Sequence, residues 1–145
     1  MIAVDTNILV YAHRPDSSWH QPALSRLTEL ASSGATWAIP WPCVHEFLAT
    51  VTHPRVFKNP TPTTIALAAM DQFAKLSSLR FIGETEGYYE LFASLVQSAA
   101  VVGPMVHDAR VAALCLHHGV SELWTADRDF GRFPKLRTRN PLVGQ

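Results

Sequence analysis

Five carboxylates stand where a folded chain can bring them together. Asp5 follows the β-prone run Ile2-Ala3-Val4, and Asp127 and Asp129 follow Leu123-Trp124-Thr125. In an open parallel sheet, ligands and chemistry gather beyond the carboxyl ends of the strands, so residues just past a strand are the first candidates. Glu46 sits on a predicted helix whose Phe47, Leu48 and Val51 fall within about 60° of Val44, whereas Glu46 lies about 200° away and points off the apolar face. Asp108 is in the first turn of a segment that is apolar nearly all round, from Met105 to Leu116, as in a centrally buried helix. It shares a flank with Ala112 and Cys115, and a buried carboxylate must be paired, metal-bound or protonated. Arg110 points elsewhere on that helix, and the first-turn position favours an anion.

Each residue alone has an ordinary explanation: a helix cap for Asp5 or Asp108, a turn for Asp127 or Asp129, a solvated face for Glu46. The combination does not, because so many carboxylates from four segments cannot stay ionised within a few ångströms without a cation. The donors are all oxygens, with no His or Cys at zinc-ligand spacing, so a hard divalent ion, Mg²⁺ or Mn²⁺, fits the set. His117 and His118 are adjacent and face different ways, and His13, His20, His45 and His53 read as surface or loop residues. His107, beside Asp108, is a candidate for substrate contact.

The elements that must position these residues alternate in type. Strands are expected at Ile2–Val4, Thr36–Ile39, Leu79–Ile82 and Glu122–Thr125. Asp5-Thr6-Asn7 reads as a tight turn into a helix that resumes at Ile8. Further helices are expected over Pro22–Ala31, Val44–Val51, Thr63–Leu76, Glu86–Ala100 and Met105–His118, the last closed by Gly119. The stretch His53–Pro62 holds three prolines and no period, which marks an extended loop. Strands alternating with helices imply an α/β fold, a three-layer α/β/α sandwich around a mainly parallel sheet of four to five strands.

Composition narrows the class. The 145 residues are 48% hydrophobic and 17% charged, which suits one globular domain over residues 1–145 and excludes a disordered chain. Two cysteines, Cys43 and Cys115, make no disulfide scaffold and are expected as free thiols. Asp5 interrupts the apolar start, unlike a secretory signal, and the longest uncharged stretch, Leu91–Val106, is broken by Gln97 and Gly103-Pro104, unlike a membrane span. A cytoplasmic protein is expected. Twelve Lys and Arg balance twelve Asp and Glu, so no global field draws it to nucleic acid, yet Arg128, Arg132, Lys135, Arg137 and Arg139 form a local basic patch.

In order and spacing, Ile2-Ala3-Val4-Asp5-Thr6-Asn7-Ile8-Leu9-Val10, Glu46, Asp108-Ala109 and Leu123-Trp124-Thr125-Ala126-Asp127-Arg128-Asp129-Phe130 together resemble a PIN domain, and more closely the VapC ribonuclease toxins of type II toxin–antitoxin modules. The resemblance runs from Met1 to about Pro134. It implies a Mg²⁺- or Mn²⁺-dependent endoribonuclease that cuts structured RNA, such as tRNA or rRNA loops, and leaves a 5′-phosphate and a 3′-hydroxyl. Asp5 and Asp108 would be direct metal ligands, Glu46 and Asp127 would complete the acidic quartet, and Asp129 could share the role of Asp127. Thr6, Asn7 and Thr125 match small polar positions that support the cluster. A VapB-like antitoxin and a homodimer are the implied partners, with Thr63–Leu76 as the expected dimer region.

Substrate contacts must come from outside the carboxylates, which repel phosphate. Arg14, Arg55, Lys58, Arg128 and Arg132 are the candidates for RNA backbone contact, and Trp19, Trp41 and Trp124 for stacking a base, although Trp is more often core. Two other readings compete with the toxin: a PIN-type nuclease of RNA maturation without an antitoxin, and a metal-free module whose acidic cluster receives a basic peptide. An aspartyl-phosphate phosphatase or receiver domain is disfavoured, because Asp5-Thr6-Asn7 lacks a second strand-end acid and no lysine follows the later strands suitably.

Overall fold

The computed structural model describes residues 1–143. Five strands form one wholly parallel sheet: β1 (Ile2–Val4), β2 (Trp37–Pro40), β3 (Leu79–Ile82), β4 (Glu122–Trp124) and β5 (Thr138–Arg139), in the order β3-β2-β1-β4-β5. A parallel sheet is covered on both faces, so its inner strands read as continuous apolar runs rather than alternating ones. Ala3, Val4, Trp37, Ala38, Ile39 and Leu123 are all fully buried. Six helices flank the sheet: α1 (Thr6–His13), α2 (His20–Ser32), α3 (Trp41–Val51), α4 (Thr63–Ala74), α5 (Tyr88–Ser98) and α6 (Met105–His117). A 3₁₀ turn, Arg128–Arg132, links β4 to β5.

From β1 the chain builds outward through β2 to β3, then returns to the other side of β1 to lay down β4. The strand order therefore reverses between β1 and β4, and the crevice outside their carboxyl ends is the switch point where α/β folds bind ligands. Register places Val4 opposite Trp124, so Asp5 and Thr125 leave the sheet at one level.

Local chemistry explains the element boundaries, including those that differ from expectation. No separate turn follows β1: Asp5 itself caps α1, its carboxylate accepting the Thr6 N–H, and the helix begins at once. The third helix starts at Trp41 rather than Val44, because Pro42 in the first turn lacks only an N–H that would have no intrahelical partner. The expected Glu86–Ala100 helix is shorter at both ends. Gly119, at φ 70°, ends α6 as expected, with Val120 N–H returning to Cys115 O at 2.9 Å. The fully buried flank of α6 (Ala109, Ala112, Ala113, Leu114 and Cys115) fixes that helix in the core and so sets the position of Asp108. The two cysteines are free and buried. Among the described residues no helix is long and apolar enough to cross a membrane.

Candidate active site

Asp5 is the most constrained residue of the crevice. It is 6% exposed, and both carboxylate oxygens carry donors. Oδ1 accepts from Thr6 N–H at 2.8 Å and the Cys43 thiol at 3.5 Å; Oδ2 accepts from the Thr125 hydroxyl at 2.8 Å and Asn7 Nδ2 at 3.2 Å. Asn7 also bonds Thr125 Oγ1 through Nδ2 at 3.2 Å and takes Ala126 N–H on Oδ1 at 3.0 Å, while Thr125 Oγ1 accepts Asp127 N–H at 3.0 Å. The network stitches the end of β1 to the end of β4. Burial pushes the Asp5 carboxyl above its ordinary range, against the pull of those hydrogen bonds, and the nearby Asp108 charge pushes the same way.

Facing it, Asp108, Asp127 and Asp129 each present an oxygen such that all three lie within 4.8 Å of one another. Asp127 caps the 3₁₀ turn by accepting Asp129 N–H at 2.8 Å, which turns both side chains into the same region. Desolvation raises the Asp108 carboxyl, followed by the charges of Asp127, Asp129 and Glu46, and Arg132 partly offsets them. The Glu46 carboxyl is also raised, by desolvation first and then by Asp5. Asp5, Glu46, Asp108 and Asp127 line one cleft of about 330 Å³ together with Thr6, Asn7, Tyr11, Phe57 and His107.

A carboxylate cluster of this kind is self-repelling, and its chemistry asks for a cation. The donors are all oxygens, and three already sit at a spacing one ion can bridge. These features fit a hard divalent ion. They also show why the structural explanations of the single residues were not alternatives to a site: Asp5 and Asp127 cap helical turns and line the cleft at once.

Other expectations are corrected. Arg14 does not stand free for phosphate: it is 8% exposed, with Nε and Nη2 on Asp16 at 2.9 and 2.6 Å and Nη1 on Asn59 O and Thr61 Oγ1 at 2.8 and 3.2 Å. It pins the Pro-rich loop to α1, its guanidinium 4.1 Å from the centre of the Phe57 ring. Trp124 is 6% exposed and donates to Glu122 at 3.1 Å, so it is core and not a stacking platform. Trp41 packs face to face with Phe81, centroids 4.5 Å apart, and Trp19 stays 40% exposed. His13 and His20 are half-buried and hydrogen-bonded to Thr61 and the Tyr11 carbonyl, not loose surface groups. Arg128 is exposed on the 3₁₀ turn, Arg55 and Lys58 are exposed on the loop, and Arg132 bonds the Asp129 carbonyl at 3.1 Å beside Asp108. Cys43, Tyr11 and Phe57 belong to the site surroundings without any sequence signal: a thiol, a phenol and a phenyl ring look like core until the fold brings them to Asp5 or the cleft.

The PIN domain family model matches residues 2–136. Ribonuclease VapC43 of Mycobacterium tuberculosis is 34% identical over 145 residues, 100% of this chain and 98% of that protein. Ribonuclease VapC48 of the same species is 31% identical over 141 residues, 97% of each. Among solved structures, VapBC2 from Rickettsia felis bound to a promoter DNA fragment superposes with a TM-score of 0.66 at 26% identity, covering 96% of this chain and 98% of that one.

Proposed function

The chain belongs to the PIN-domain family, and we propose that it is a Mg²⁺- or Mn²⁺-dependent endoribonuclease, the toxin of a VapBC-type toxin–antitoxin pair, cleaving structured RNA in the cytoplasm. The observation that carries the reading is the meeting of Asp108, Asp127 and Asp129 oxygens within 4.8 Å beside Asp5 and Glu46, in a chain whose full-length relatives are named ribonucleases.

Asp108, Asp127 and Asp129 would hold the ion, with Asp5 as the buried anion behind them. When bound, a divalent cation polarises a phosphoryl oxygen and lowers the pKa of water. Glu46, exposed at the cleft with its carboxyl raised by desolvation and then by the Asp5 charge, suits the role of orienting and deprotonating the attacking water. Asn7 and Thr125 hold Asp5 in one rotamer and tie it to Asp127. Arg132, Arg128 and Lys58 supply positive charge around the acidic cleft for the RNA backbone. The expected products carry a 5′-phosphate and a 3′-hydroxyl.

A partner also has a surface. An apolar groove of about 380 Å³ runs between α1, α2, α3 and α4, lined by Leu9, Leu24, Leu27, Phe47, Phe73 and Leu76. It suits a segment of a VapB-like antitoxin, and it favours the toxin over a maturation nuclease that has no antitoxin. Ile65 and Leu67, 54% and 47% exposed on α4, are the apolar surface for a homodimer.

The direct test is cleavage of a panel of structured RNAs by purified protein, with Mg²⁺, Mn²⁺ or EDTA, against Asp108→Asn. Cutting that needs both the metal and Asp108 is expected. Cutting that persists in EDTA or in the variant overturns the metal-site assignment.

A further inference from the structure

Beside the acidic cleft lies a second hollow of about 410 Å³. The two share Val10, Tyr11, Val56 and Phe57; the second adds Trp19, Lys58, Arg14 and Asp16, and none of the acidic cluster lines it. Its size is that of a small-ligand pocket, and a polymer entering the cleft must continue somewhere beyond it.

We infer that this hollow is a subsite for one unpaired nucleotide beside the scissile phosphate, its base stacked on Trp19, its amino edge read by Asp16 and its phosphate met by Lys58. The inference rests on the ribonuclease reading and deepens it. Trp19 exposes 40% of itself at the start of α2, where its backbone N–H donates to Ser17 Oγ at 3.1 Å. An exposed indole next to a nucleic-acid cleft is a stacking platform that any base can use. Lys58 is exposed and carries no ion pair among the described residues, so its charge is available to a phosphate.

Asp16 supplies the discrimination. Its side chain is 57% exposed while the buried Arg14 grips both oxygens, at 2.9 and 2.6 Å, and fixes the plane of the carboxylate. Those hydrogen bonds hold the carboxyl below its usual range, so it remains an acceptor. Each carboxylate oxygen accepts two hydrogen bonds, which leaves acceptor positions open after Arg14 is satisfied. A rigid acceptor-only group suits the exocyclic amine of guanine, adenine or cytosine, and repels the two carbonyls that flank the single N–H of uracil. Arg14 is thereby the residue that builds the subsite, although it has little of itself left to offer RNA.

The test uses a pool of RNA hairpins with randomised loops, incubated with the full chain and Mn²⁺, and sequences the cleaved ends. Wild-type protein is expected to disfavour uracil at one position beside the cut. Trp19→Ala should lower kcat/KM by about tenfold, within the range for losing one stacked base, mainly through KM, and Trp19→Phe should restore most of it. Asp16→Asn should erase the bias against uracil, with thermal melting confirming that the variant is folded. Tyr89→Ala, which removes a still more exposed ring from α5 on another surface, should change neither rate nor bias. Unchanged rate and bias in Trp19→Ala and Asp16→Asn, with the wild type cutting normally, overturn the subsite alone. No cutting or binding of the pool by wild-type protein overturns the ribonuclease reading and the subsite with it.

Discussion

The two strand ends that meet at the cleft are built on opposite principles. At β1, Asp5 is nearly buried and holds four donors from Thr6, Asn7, Cys43 and Thr125. At β4, Asp127 is half-buried and Asp129 exposed, and among the described residues the only hydrogen bond to either carboxylate is the Asp129 N–H on Asp127. One end is fixed before any ligand arrives; the other keeps lone pairs free and room to adjust. In the proposed metal site, the fixed anion would set where a cation goes and the adjustable oxygens would complete its shell. The Asp-Arg-Asp spacing, which leaves open which residue is the fourth acid, corresponds in the fold to two side chains that each bring an oxygen within 4.8 Å of Asp108.

That contrast has consequences of graded size. Asp5→Asn and Asp108→Asn should each lower cleavage by about a thousandfold or more, the equivalent of the several kcal/mol a catalytic metal supplies, while circular dichroism stays native. Asn7→Ala, which removes one donor from Asp5 and the acceptor of the Ala126 N–H while leaving the Thr125 hydroxyl on Asp5, should cost about ten- to a hundredfold in Mn²⁺ affinity or rate, as loss of an orienting partner does, readable by calorimetric titration. Asp129→Asn should cost less than Asn7→Ala, because Asp127 holds the same position; a loss as large as that of Asp5→Asn would break the comparison and make Asp129 the indispensable acid.

The smallest effect is on stability against pH. Asp5, Glu46 and Asp108 have carboxyl pKa values raised on folding, chiefly by desolvation, so the folded state binds their protons more tightly than the unfolded chain. Their burden on stability is absent below the ordinary carboxylate pKa and complete above the raised values. Melting temperature without metal should therefore fall as pH rises across that window, and Mg²⁺ should restore it at neutral pH. Asp16 and Glu84, lowered by Arg14 and Arg110, run the opposite way and lose their contribution as pH falls. The difference curve between wild type and Asp5→Asn cancels them and isolates the buried anion. A flat difference curve would show that Asp5 carries no such burden.

Four of the five strands and all six helices could be read from the chain, because a buried parallel strand is an apolar run and a packed helix repeats every three to four residues. The fifth strand could not: Thr138 and Arg139 are both exposed, with no apolar run to mark them, and they join the sheet by backbone pairing with Leu123 and Trp124. At the site, the strand-end rule and the flank of α6 located Asp5, Asp108, Asp127 and Asp129 as candidates. Arg14 was misread because its partners at Asn59 and Thr61 lie 45 and 47 residues away, and a cation alone does not reveal that it is spent.

The order of elements, the acidic residue types and the oxygen-only donor set were determined by the sequence itself, since periodicity, capping and ligand hardness are properties of residues and their near neighbours. The fold decided which carboxylate oxygens come together, which of Arg14 and Lys58 is free, and that Asn7 bonds Thr125 across 118 residues. Those depend on distances between segments that only the packed sheet brings within bonding range.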